Sequence, residues 1–171
     1  MNFTNIETDT LQVSTTSGDI TINSSFIPDI SITSSSGYIN LKQTEYVDCS
    51  LTAKSGEINI ANAVSHGNLS LQTGSGDISI SYQDKPDSLT FDVASGSEDL
   101  SVNFTSADYH IETSARKQGV IGKGEYQLTL LLCRLCRHPV ALRFIRDTFI
   151  TVKQRLDHLQ AGFLSRGVNL F

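Results

Sequence analysis

A glycine preceded by serine recurs at Gly18, Gly37, Gly56, Gly76 and Gly96, at spacings of 19, 19, 20 and 20 residues. A fixed period of this length marks a repeat architecture, in which one unit is too small to bury its own apolar face and must stack on its neighbours. The segments around the first four glycines read LQVSTTSGDITI, ISITSSSGYINL, CSLTAKSGEINI and LSLQTGSGDISI. Positions seven and five residues before each glycine, and two and four after it, are apolar every time. They hold Leu11, Val13, Ile20 and Ile22; Ile30, Ile32, Ile39 and Leu41; Cys49, Leu51, Ile58 and Ile60; Leu69, Leu71, Ile78 and Ile80. Apolar residues make up only 39% of the chain, so four columns filled without exception are not a product of chance.

Within each segment apolar and polar residues alternate, which is the pattern of a strand with one buried face. The Ser-Gly between the two halves supplies a turn, since glycine adopts positive φ at little cost. The rest of each period holds a second polar turn and a few apolar residues, such as Phe26-Ile27 and Tyr46-Val47, where a third short strand fits. A fifth unit keeps Leu89 and Phe91 but delays Leu100 and Val102 by two positions; a sixth, looser one runs from Tyr109 to Leu130. Independent hairpins would not need the same columns at one spacing, whereas stacked coils do. The expectation is an all-β fold: a β-solenoid of five to six rungs of about 19–20 residues over 1–130.

The runs Ser17-Gly18-Asp19-Ile20, Ser55-Gly56-Glu57-Ile58 and Ser75-Gly76-Asp77-Ile78 resemble the degenerate pattern of a bacterial adhesin-like family, domain of unknown function 4097. The resemblance covers roughly residues 8–130. It implies a β-solenoid scaffold, often in proteins of the bacterial cell envelope, with no catalytic residues to carry over.

Charge divides the chain where the repeats end. Residues 1–130 carry 6 Lys and Arg against 16 Asp and Glu, a net −10, while residues 131–171 carry 7 against 2, a net +5. In this second part Leu142, Ile145, Phe149, Val152, Leu156, Leu159 and Phe163 recur at alternating steps of 3 and 4. That is the apolar stripe of an amphipathic helix. Pro139 suits its first turn, and Gly162 or Gly167 its end. The expected second unit, 131–171, is therefore a basic α-helical tail. Three readings stand for it: a cap over an open end of the solenoid, a surface for a partner helix or a membrane, or sequence foreign to the family. No stretch approaches the roughly 20 apolar residues of a membrane-spanning helix. The start, Met1-Asn2-Phe3-Thr4-Asn5, shows no export signal, which leaves the cellular compartment open.

No catalytic, cofactor-binding or metal-ligating residue stands out. Asp19, Glu57 and Asp77 follow the repeat glycine, but Tyr38 interrupts their column and calcium-binding solenoids use a much shorter repeat, so they read as a solvated acidic edge. Cys49 occupies a column otherwise filled by Leu11, Ile30 and Leu69, and reads as a small buried hydrophobe. Cys133 and Cys136 have the spacing of half a zinc site, with no second cysteine pair to complete it. His66, His110, His138 and His158 share no spacing with a serine or cysteine that suggests a nucleophile. The expectation is a protein that is not an enzyme, needs no cofactor, and binds a glycan or protein at its polar solenoid face. A carbohydrate-active solenoid enzyme is the alternative. Nucleic acid is not expected as a partner, because the body is acidic and the tail carries no known motif.

Overall fold

The computed structural model describes residues 1–96, 102–104, 106–132 and 149–150, and every described regular element is a strand. In chain order the first nine are β1 (Asn2–Thr4), β2 (Thr10–Thr15), β3 (Ile20–Asn23), β4 (Asp29–Ser36), β5 (Ile39–Lys42), β6 (Asp48–Ser55), β7 (Ile58–Ala63), β8 (Asn68–Ser75) and β9 (Ile78–Tyr82). The odd-numbered strands form one parallel five-stranded sheet, β1-β3-β5-β7-β9. The even-numbered ones lie side by side and parallel in a longer sheet. The chain therefore coils through about four turns, passing from long sheet to short sheet and back.

Register confirms the stacked columns. Leu11 pairs with Ile30, Ile30 with Cys49, and Cys49 with Leu69, while Ile20, Ile39, Ile58 and Ile78 pair in the same way across the short sheet. All sixteen column residues belong to one interior, and only Leu11, in the first turn, is no more than partly buried. Two kinds of corner hold the turns apart. Gly18, Gly37, Gly56 and Gly76 have φ of 101°, 118°, 145° and 136°, values that favour glycine. At the opposite corner Asn5, Ser24, Gln43 and Asn62 stack with φ of 49–56°, a left-handed column made without glycine. Below that corner Ser25 and Thr44 are buried, and their hydroxyls donate to the carbonyls of Asn23 and Lys42 at 3.0 and 3.2 Å. A short third side follows, where Glu7, Phe26 and Glu45 form isolated parallel bridges and Ile27 and Tyr46 turn inward.

The remaining strands are β10 (Leu89–Ala94), β11 (Val102–Asn103), β12 (Asp108–Glu112), β13 (Arg116–Ile121), β14 (Tyr126–Leu132) and β15 (Phe149–Ile150). Here the structure departs from five or six successive rungs. The long sheet runs β12-β13-β10-β14-β8-β6-β4-β2, so β14 lies between β8 and β10 and is parallel to both. Leu128 pairs with Leu69 on one side and Phe91 on the other; Leu130 pairs with Leu71 and Val93. The fifth unit does not stack on the fourth, and the sixth precedes it in space. β13 and β12 then run antiparallel, an arrangement that does not continue a solenoid. The loop that carries the chain from β13 across the start of β10 into β14 is pinned twice. Thr90 Oγ1 donates to the Gly124 carbonyl at 3.1 Å, and the Glu125 N–H donates to Ser88 Oγ at 2.9 Å.

Of the expected helical tail, 131–171, the described parts are Leu131 and Leu132, which end β14, and Phe149–Ile150, an extended pair antiparallel to Val102–Asn103. The other positions of the stripe lie outside the described residues.

Candidate functional site

Because adjacent strands of the long sheet are parallel and in register, the residues between the buried columns form columns of their own on the outer face. One runs Gln12, Ser31, Ser50, Ser70, Thr129, Asp92; beside it run Ser14, Thr33, Thr52, Gln72, Leu131 and Ala94. Such columns repeat a side chain about every 4.8 Å across the strands. At the strand starts, Asp29, Asp48 and Asn68 stand in line. Asn68 Nδ2 donates to Asp48 Oδ1 at 2.8 Å, and Asn68 Oδ1 accepts the Gln127 N–H at 3.0 Å. The side-chain amide thus ties β6 to β14 on either side of β8. Between these columns lies a shallow depression of about 310 Å³, lined by Asp29, Asp48, Asn68 and Gln127 and floored by the serine column.

Two further depressions sit at the corners. One, about 310 Å³, follows the glycine corner from Gly37 to Gly76, with exposed Tyr38 and Glu57 on its rim. The other, about 320 Å³, lies on the third side, where Phe26 and Val47 are exposed beside Val64, His66 and Asp84.

Most of the residues singled out from the sequence fall among the described ones. The Asp19 carboxylate accepts the Tyr38 N–H at 3.0 Å, which spends it on bracing the next turn. Among the described residues no three His, Cys, Asp or Glu side chains gather as metal ligands. Cys49 is buried in its ladder, and burial first, then the nearby Asp29 carboxylate, pushes its thiol far above the ordinary value. Tyr46 and Tyr82 share that interior and are raised for the same first reason, with the charges of Tyr82 and then Cys49 adding at Tyr46. His66 contacts Ser65 at 3.1 Å and lies 6.3 Å from the Tyr126 ring, at the third side, while His110 is exposed on β12. The serine that His66 meets is its own chain neighbour Ser65, and the contact is exposed. Cys133, Cys136, His138 and His158 lie outside the described residues.

The outer depression was not read from the sequence, although a signal existed: Asp29, Asp48 and Asn68 keep the repeat spacing as faithfully as the aliphatic columns. No helix among the described residues is long and apolar enough to cross a membrane. Neither the curated proteins nor the solved structures hold a match to this sequence. The model of one family does match, over residues 1–131, the span that contains both sheets and nearly all of β14, and the chain therefore belongs to the Toastrack DUF4097 family, a domain of unknown function.

Proposed function

We propose that this protein is a non-catalytic solenoid scaffold with an adhesin-like role, binding an extended glycan across the outer face of its long sheet. The observation that carries the reading is the pair of in-register outer columns, Gln12-Ser31-Ser50-Ser70-Thr129 and Ser14-Thr33-Thr52-Gln72. They offer hydroxyl and amide groups at a constant interval, with no Lys or Arg among them, and the ligand best matched to that surface is itself a neutral, repeating, hydroxyl-rich polymer. The groups whose protonation is most displaced, Cys49, Tyr46 and Tyr82, have buried side chains, whereas the outer columns are built of serine, threonine and glutamine. That favours a face that holds a ligand over one that reacts with it. A partner protein on the same face is the outcome to be distinguished.

A glycan panel screened for binding, with each hit then assayed for hydrolase or lyase product, tests the proposal. Retention of a glycan without product release is expected, and Ser50→Arg, which places a bulky cation on an exposed position of a central strand, should abolish it while leaving the circular dichroism unchanged. Product release would replace the scaffold reading with the enzyme alternative; no retained glycan would remove the ligand class.

A further inference from the structure

The outer columns of the long sheet have a direction, a length and a repeat, and a ligand must match all three. Along a single strand the outward groups change at every step: β6 shows Asp48, then Ser50, then Thr52. Across the strands they stay the same. Ser31, Ser50, Ser70 and Thr129 put a hydroxyl on β4, β6, β8 and β14 in turn. Beside each of them Asp29, Asp48, Asn68 and Gln127 put a carboxylate or an amide. No register shift interrupts these pairings, so both lines cross the sheet at about 4.8 Å per step.

The paired pattern has ends. On β10 the hydroxyl gives way to Asp92, whose carboxylate accepts two hydrogen bonds from the Arg116 guanidinium, at 2.9 and 2.7 Å. An engaged ion pair stands there in place of a free hydroxyl. On β2 the two positions are Gln12 and Thr10, so the amide and the hydroxyl exchange places. Four strands therefore carry the full pattern, about 14 Å from first to last, and the depression spans the same four. None of the residues lining it is Lys or Arg, while two are Asp.

We infer that the occupant is a straight, uncharged glycan of diequatorial linkage, lying across the strands with one sugar unit on each of β4, β6, β8 and β14. The inference rests on the glycan reading of this face and narrows it. In a chain joined through equatorial bonds on both sides of each ring, successive units advance in a nearly straight line by about one strand spacing. Each ring then meets the same hydroxyl and the same carboxylate or amide. An axial bond turns the chain at every unit, and the rings leave the line. An extended peptide advances about 3.3 Å per residue and falls out of step with the strands. A chain bearing carboxylates or sulfates meets Asp29 and Asp48 with no cation in the depression to answer it.

Calorimetric titration of the full chain with two uncharged oligosaccharide series, one diequatorially and one axially linked, each of two to six units, reads the outcome. Affinity for the straight series should rise with length and level off at about four units, with the axial series at least about tenfold weaker at equal length. Thr129→Arg, at one end of the line, should weaken the four-unit oligomer about tenfold and the three-unit one less than about twofold, because three units still fit on β4, β6 and β8. Asn40→Arg, on the outer face of the short sheet, should change neither. Circular dichroism checks that both variants fold, and Ser31→Arg at the other end of the line serves if Thr129→Arg does not. Equal affinity for the two series, no gain up to four units, or equal losses for the three- and four-unit oligomers overturns the inference and leaves the glycan reading standing. So does a preference for a charged glycan. Retention of no glycan at all removes both.

Discussion

Each corner glycine has two reasons to be glycine, and they separate along the stack. Positive φ disfavours a side chain at all four corners, at about 1–2 kcal/mol each. Contact with the preceding turn applies only from Gly37 onward, because the Cβ direction points toward the earlier coil and Gly18 has no described neighbour there. At Gly56 the obstacle is the Gly37 carbonyl group, backbone that cannot swing aside as a side chain tip does. Gly18→Ala should therefore cost about 1–2 kcal/mol, and Gly56→Ala more than about 3 kcal/mol, in urea unfolding. Equal losses at the two sites would show that φ alone governs the corner. The left-handed corner at Asn5, Ser24, Gln43 and Asn62 has no such glycine signal. Asparagine tolerates this conformation, but serine and glutamine do not advertise it, so that half of each turn is not legible residue by residue.

At the scale of strands, what the sequence reveals and what it conceals divide by locality. Alternation and a constant period name the paired residues of the first four turns, because each turn lies on the one before it in the chain. The same alternation marks Tyr126–Leu132 as a strand with one buried face, yet says nothing about which two strands flank it. Leu128 and Leu130 suit a ladder beside Leu69 and Leu71 as well as Leu89 and Phe91 do, and the choice rests on a crossing loop held by Thr90 and Ser88. The order is open to a chemical test. Ser70 and Thr129 are in-register neighbours on the outer face, within the Cα separation a disulfide needs, whereas Ser70 and Asp92 are two strands apart, about 9.6 Å. With Cys133 and Cys136 changed to serine, Ser70→Cys/Thr129→Cys should oxidise to an intrachain disulfide and Ser70→Cys/Asp92→Cys should not. The reverse result would place β10 directly on β8, in chain order. The candidate site was half legible for the same reason. The hydroxyl columns of the first four turns follow from the repeat, but Gln127 and Thr129 join the depression only through the inserted strand.

On the scale of the whole molecule, a narrow continuous interior couples titration inside it to global stability. Cys49, Tyr46 and Tyr82 are its ionisable members among the described residues, and burial raises all three above ordinary values of 9.0 for the thiol and 10.0 for the phenols. Below pH 9 each is protonated in folded and unfolded chains alike, so none makes stability depend on pH. Above it the unfolded thiol releases its proton while the folded one keeps it, and above pH 10 the unfolded phenols do the same. The unfolded state then binds fewer protons, so stability falls as pH rises, by up to about 1.4 kcal/mol per pH unit for each group. Thermal unfolding followed from pH 7 to 11 should be level through neutrality, bend downward near pH 9 and steepen past pH 10. Cys49→Ala should remove the first bend at the cost of a lower starting stability, and Tyr82→Phe should reduce the second. A midpoint that stays level to pH 11 would mean that these side chains ionise where they stand, which an interior closed to water does not permit.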